Sequence, residues 1–216
     1  MERIHYPVSY KKELKHLYHA SSSEVEVVEV PPMRFLMVDG TGDPNASQEF
    51  QEAVESLFAV SFTSRILMNK SREGIAHGVM PLEGLWWADE MSRIRLQDKG
   101  SWKWTLMIMQ PEPVDADIVR QAVRQVFRKK NLSVLGKLRF EEFSEGSAAQ
   151  IMHVGPFSQD AGTIERLHDF IASNGFVPSG KHHEIYLSDV RRTPAGKWKT
   201  ILRQPIRVRS PCREPA

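Results

Sequence analysis

Lys181-His182-His183-Glu184-Ile185-Tyr186-Leu187-Ser188-Asp189-Val190 is the stretch on which the reading of this chain turns. Its β-branched and aromatic content predicts a strand, and successive side chains of a strand alternate between its two faces. His183, Ile185 and Leu187 therefore point one way, and Glu184, Tyr186 and Ser188 the other. The first set reads as core. The second sets a carboxylate beside a phenol, a group that takes a proton next to one that gives it. The residues alone leave two readings of that pair open: acid and base chemistry in a site, or the solvated face of an antiparallel sheet.

Upstream of this stretch, Leu138 to Phe143 and Ala148 to Val154 read as strands and Gly155-Pro156-Phe157-Ser158 as a turn. Ile164, Leu167, Phe170 and Ile171 then form a helical stripe that stops at Asn174-Gly175. A last strand, Lys199 to Val208, follows. The first half runs in the same order. Val25 to Asp39 alternates as a strand that Pro31-Pro32 must bend or confine to an edge. After the turn cluster Gly40-Thr41-Gly42-Asp43-Pro44-Asn45, Ser47 can cap a helix carrying Phe50, Val54, Leu57 and Phe58, expected from about 47 into the low 60s. Strand candidates at Gly78 to Trp87 and Trp102 to Gln110 flank a charged turn from Asp89 to Gly100, and Asp115 can cap a linking helix through Phe127.

Strand, helix, strand, strand thus occurs twice. Lys103-Trp104 leading to Gln110-Pro111 matches Lys197-Trp198 leading to Gln204-Pro205 at the same spacing, which points to duplication. The expected fold is α+β: two tandem β-α-β-β repeats with pseudo-twofold symmetry, antiparallel sheets with helices on one side, and a ligand cleft between repeats. Residues 1–23 are expected to hold a short docking helix (Tyr10, Leu14, Leu17, Tyr18) and 24–208 the binding domain. Within that domain, repeat one covers about 24–111, the linking helix about 115–131 and repeat two about 137–208; 209–216 form a tail.

Charge is nearly balanced, 29 Lys and Arg against 27 Asp and Glu, so composition gives no reason to expect a nucleic-acid or membrane partner. Arg203, Arg207, Arg209 and Arg213 read first as the solvated face of an edge strand and second as an anion patch. The single cysteine, Cys212, rules out an internal disulfide and a cysteine metal site, which suits a cytoplasmic location. No apolar run approaches the roughly 18 residues of a membrane span. His182 and His183 are adjacent in a strand and face opposite ways, so no metal site and no cofactor are expected. Monomer and homodimer are left open.

The strand Pro81-Leu82-Glu83-Gly84-Leu85-Trp86-Trp87 sets a carboxylate before two adjacent indoles, and Gly84 permits a bulge or a close approach by a ligand. Which indole faces a pocket is open. Duplication places this strand opposite the Glu184 strand. Trp86, Trp87, Trp104, Glu83, Phe35, Met37 and Met107 are therefore the ligand-binding candidates around one groove, with Glu184 and Tyr186 as the catalytic ones.

Gly40-Thr41-Gly42-Asp43-Pro44-Asn45, Pro81-Leu82-Glu83-Gly84-Leu85-Trp86-Trp87, His153-Val154-Gly155-Pro156-Phe157 and His182-His183-Glu184-Ile185-Tyr186-Leu187-Ser188-Asp189 together resemble the GyrI-like small-molecule-binding family over nearly the whole chain. The resemblance implies two β-α-β-β units around a ligand cleft. Regulatory relatives join this domain to a DNA-binding module and sense cationic or aromatic drugs through a cleft carboxylate. The segment before Val25 is too short for such a module. The chain looks most like the stand-alone branch associated with cyclopropanoid cyclopropyl hydrolase activity, which detoxifies DNA-alkylating natural products of the yatakemycin and duocarmycin type. By motif, Glu184 is the acidic cleft residue and Tyr186 its phenolic neighbour; Phe157 departs from the Tyr of many relatives, so no hydroxyl chemistry falls there. The partner this implies is a hydrophobic aromatic small molecule. The alternative is a non-catalytic drug-binding or sequestering protein, or a ligand sensor without its own DNA-binding domain.

Overall fold

The computed structural model describes residues 14–71, 78–88 and 102–209. Tyr10, the Asp89 to Gly100 turn and the tail with Cys212 lie outside them.

Among the described residues, three α-helices and nine strands follow in the order β1 (Glu26–Val30), β2 (Met33–Thr41), α1 (Gln48–Ser71), β3 (Leu82–Trp87), β4 (Lys103–Gln110), α2 (Ala116–Lys129), β5 (Arg139–Phe143), β6 (Gly146–Val154), α3 (Ala161–Ser173), β7 (Phe176–Pro178), β8 (His182–Tyr186) and β9 (Lys199–Val208). All strand pairs are antiparallel, in the order β1-β6-β9-β8-β3-β4-β2-β5, with β7 on β9. The two halves meet at β3 and β8 in the centre. Each half also lends its first strand to the other: β1 pairs with β6, and β5 with β2. Pro31-Pro32 therefore does more than bend one strand; having no N–H to give a ladder, it marks where the chain leaves one half of the sheet for the other.

The caps form where the residues predict them. The Ser47 hydroxyl accepts from the Phe50 amide at 3.2 Å, and the Asp115 carboxylate from the Ile118 amide at 2.9 Å. α1 runs on to Ser71, past the expected low 60s, because Val60, Ser61, Ser64 and Met68 continue its buried stripe. α1 lies over β2 and β4, and α3 over β6, β7 and β9. β3 and β8 are left between the two helices, at the floor of a groove.

Register corrects the repeat. Trp104 stands opposite Trp86 and Gly40, whereas the matching place in the second half, opposite Tyr186 and His153, belongs to Thr200, two residues beyond Trp198. Gly40 makes the room: a Cβ there would lie 2.2 Å from the Trp104 ring.

The face away from the helices carries a buried ionic network. His183 Nε2 lies 3.0 Å from Glu83 and Nδ1 2.9 Å from Glu145, whose carboxylate also receives Arg203 at 3.1 Å. Arg203 donates further to Gln150 and to the Leu17 carbonyl, and the Tyr18 hydroxyl donates to Glu83 at 2.7 Å. Residues Leu14 to Tyr18 form one turn packed across this face. Arg203 is thus buried, contrary to the edge-strand expectation, because β9 is flanked by β6 and β8. Burial alone would push the His183 imidazole down, but the charges and hydrogen bonds of Glu145 and then Glu83 lift it to about 9. Two anions and two cations balance.

A histidine raised above its ordinary 6.5 adds stability that is complete below that value and lost as pH climbs through about 9. At 1.36 kcal/mol per pKa unit the loss is on the order of 3 kcal/mol. Urea unfolding of the wild type from pH 6 to 10 should show this decline, and His183→Gln should flatten it; equal slopes for both proteins would contradict the network.

Candidate functional site

The alternation expected of the His182 stretch carries into β8. Gly84 faces Glu184, Leu82 faces Tyr186 and Trp86 faces His182 across the β3–β8 ladder, so these six residues share the helix-side face. The Trp86 indole N–H donates to the Tyr186 oxygen at 3.0 Å, and Tyr186 is hydrogen-bonded to Glu184. That diagonal reach needs Gly84, where a Cβ would stand 2.8 Å from the indole nitrogen and 3.1 Å from the phenol oxygen. The close approach that Gly84 permits is made by Trp86. His182 Nε2 lies 3.6 Å from Glu184, too long for a hydrogen bond.

The groove walls come from the helices. Phe50 of α1 stacks on Trp86 at 6.0 Å and so borders this face, while Phe58 and Phe62, further along the same helix, stay 41% and 50% exposed. On the other side, the Phe157 ring meets Tyr186 edge-on at 5.6 Å and Trp198 at 5.0 Å. Lacking a hydroxyl, Phe157 offers only apolar contact. His153 closes this corner through Thr163 at 3.0 Å and the Pro156 carbonyl at 3.2 Å.

Burial pushes the Tyr186 phenol well above its ordinary value; the Glu184 charge and hydrogen bond add to the rise, and donation from Trp86 offsets part of it. Tyr186 stays protonated across the physiological range. Asp160, at the N-terminal end of α3, is pushed up to about 6, by burial first and by the Glu184 charge second. Asp160 went unnoticed in the sequence because an acid before a helical stripe reads as a cap, yet its side chain makes no cap bond.

The single groove expected to collect every candidate divides across the sheet. Trp86 joins Glu184 and Tyr186. Trp104 is fully buried, with the Phe50 ring edge-on at 5.2 Å, and cannot stack on a ligand. Glu83 faces the other way into the ionic network, and Phe35 and Met107, also on that face, are buried in core. Trp87, next to Trp86 and so reversed, lies with Met37 on the wall of a second hollow of about 520 Å³ on the far face. There the Lys181 ammonium sits 3.3 Å from the Trp87 ring centroid, and Arg139 pairs with Asp39 and Glu141 and Lys137 with Glu49, so most of the charges cancel locally. No group of three His, Cys, Asp or Glu among the described residues is placed to hold a metal, and none of the described helices is long and apolar enough to cross a membrane.

A sheet of two exchanged halves with a helix-walled groove over its central strands defines a small-molecule-binding domain. Residues 23–207 match the GyrI-like small molecule binding domain, and the chain belongs to that family. An uncharacterized conserved protein from Listeria innocua is 38% identical with a TM-score of 0.83, covering 93% of this chain and all of its own. A hydrolase from Listeria innocua, also 38% identical, superposes with a TM-score of 0.77 over 93% of this chain and 100% of that one. The C-terminal domain of EcmrR, 11% identical with a TM-score of 0.53, covers 86% of this chain and 98% of its own and shares the fold alone. No curated protein matches the sequence.

Gly84→Ala should force the Trp86 indole off Tyr186 and cost roughly 1–3 kcal/mol by overpacking. Guanidinium unfolding measures the loss, and the Trp86 indole N–H resonance in a ¹⁵N spectrum should move. An unshifted resonance with unchanged stability would mean that Gly84 makes no such room.

Proposed function

We propose that the protein binds planar aromatic molecules in the groove over β3 and β8 and hydrolyses the electrophilic cyclopropane of yatakemycin- and duocarmycin-type alkylators, a detoxification. The observation that carries this reading is the chain Trp86, Tyr186, Glu184: a protonated phenol held between an indole donor and a carboxylate on the groove floor.

In such a ligand a strained cyclopropane is conjugated to a dienone. Water attacks a ring carbon, the C–C bond breaks, and the electron pair runs to the carbonyl oxygen, which becomes a phenol. Glu184 takes the proton from the attacking water, and Tyr186 gives its own to the carbonyl oxygen. Their mutual hydrogen bond then returns the proton from Glu184 to Tyr186, so the pair ends as it began and the ligand gains one water. The exposed Phe157 ring beside Tyr186 supplies apolar area for a flat ligand. A hydrolase among the relatives at 38% identity supports the reaction class for this chain.

A non-catalytic binder of lipophilic cations is the second reading, favoured by a second carboxylate, Asp160, near enough to Glu184 for its charge to be felt. Turnover separates the two. Purified protein incubated with a yatakemycin-type compound should yield a product one water heavier by mass spectrometry. Glu184→Gln should still bind, read by tryptophan fluorescence, while losing about 10²–10⁴-fold in rate. Binding without product in the wild type would leave the binder.

A further inference from the structure

The hollow beside Trp87, on the face of the sheet away from the helices, takes no part in the chemistry proposed for the groove. Four bases line it against four acids, so its overall charge is balanced and only local contacts can select a charged ligand. Two of its cations are already engaged. Arg139 pairs with Asp39 and Glu141, and Asp39 also accepts from the Thr105 hydroxyl at 2.7 Å. Lys137 pairs with Glu49.

Lys181 differs from both. Its ammonium sits 3.3 Å from the centroid of the Trp87 ring, and no carboxylate among the described residues lies within ion-pair reach of it. The placement comes from the backbone. Gly180 takes a φ of +74°, in the left-handed region that glycine enters freely, and a Cβ there would stand 3.3 Å from Pro205. This turn feeds β8, and Lys181, one residue before His182, falls with His183 on the far face.

An indole face is only a partial counter-charge. An ammonium resting on it keeps N–H groups turned away from the ring, and a carboxylate is the acceptor that matches them in charge as well as in hydrogen bonding. Burial works against the Lys181 charge; Asp39, out of contact, offsets part of this and Arg139 adds to it. The uncharged part of the lining is largely apolar, with Met37, Leu85, Phe143 and the Trp87 ring. At about 520 Å³ the hollow falls within the size range of small-ligand pockets.

From this arrangement we propose that the far-face hollow is a second binding site, which takes a monocarboxylate with an apolar body: the carboxylate on Lys181, the body along Met37, Leu85 and Phe143. A single negative charge is what the lining accommodates. A dianion would meet Asp39 and Glu141 in the same hollow, and a cation would meet Lys181 itself. An uncharged planar molecule brings no partner for Lys181 and keeps to the groove on the other face.

Sodium octanoate is the probe, set against 1-octanol, which has the same length without the charge. In a ¹⁵N spectrum of the full chain, octanoate should shift the Trp87 indole N–H saturably while the Trp86 resonance holds still. The dissociation constant should be on the order of 1 mM, as befits about ten heavy atoms. Lys181→Arg, which keeps the charge, should retain binding, and Lys181→Gln should weaken it roughly tenfold or more. Octanol should give no saturable shift. Octanol acting as octanoate does, or octanoate binding undiminished in Lys181→Gln, would reduce the hollow to an apolar patch and overturn the proposal. A shift of Trp86 with Trp87 unmoved would place the acid in the groove and overturn it too, as would no saturable shift up to about ten times that concentration.

Discussion

One imidazole shared by two buried carboxylates sits under the join between the halves of this protein. His183 comes from β8, Glu83 from β3 across the seam, and Glu145 from the link between β5 and β6, with Arg203 of β9 behind it. An uncompensated charge at such depth costs several kcal/mol, so the four groups are tolerable only together, and their partnership fixes which residues of β3 face which of β8. A slip of one residue in that ladder would turn Glu184 and Tyr186 into the network and His183 into the groove. The register that neutralises one face therefore presents the site on the other. The exchanged strands β1 and β5 reinforce the join, since neither half can complete its sheet without the other.

Above the seam the chemistry is arranged by absence as much as by presence. Gly84 and Gly40 leave hollows that two indoles fill, Trp86 leaning toward Tyr186 and Trp104 sinking beneath α1. The two tryptophans, direct neighbours across β3 and β4, differ in what they can do. Trp86 holds the phenol. Trp104 serves the core. Neither helix lies along β3 or β8, although Phe50 of α1 reaches Trp86, so the floor of the groove is made of side chains that have hydrogen-bond or charge partners and some remaining access, the combination that a proton-transfer site requires.

Period-two alternation was enough to separate His183 and Ile185 from Glu184 and Tyr186, because a strand enforces it locally, whatever lies around it. The caps at Ser47 and Asp115 and the stop at Asn174-Gly175 were equally local and equally legible. What local signals could not carry was the pairing of distant strands. Arg203 looked like the solvated face of an edge only because β6 and β8 on either side of β9 are invisible in the sequence of β9 itself. The same blindness put Trp87, Glu83 and Met37 around one groove with Trp86. Adjacent strand residues must part to opposite faces, but the side that bears the helices is set by the whole sheet. Asp160 was hidden for a different reason: its local pattern is that of a cap, and only the fold shows that the side chain makes no cap bond.

The central claim is that ligand meets the helix-side face, at Trp86, Tyr186 and Glu184, and not the charged hollow beside Trp87. The chain has five tryptophans, each with one indole N–H that a ¹⁵N correlation spectrum resolves, so titration with a planar aromatic compound reads both faces at once. The Trp86 indole resonance should shift in a saturable manner while that of Trp87 holds still. A saturable shift of Trp87 with Trp86 unmoved would place binding on the opposite side of the sheet and contradict the account.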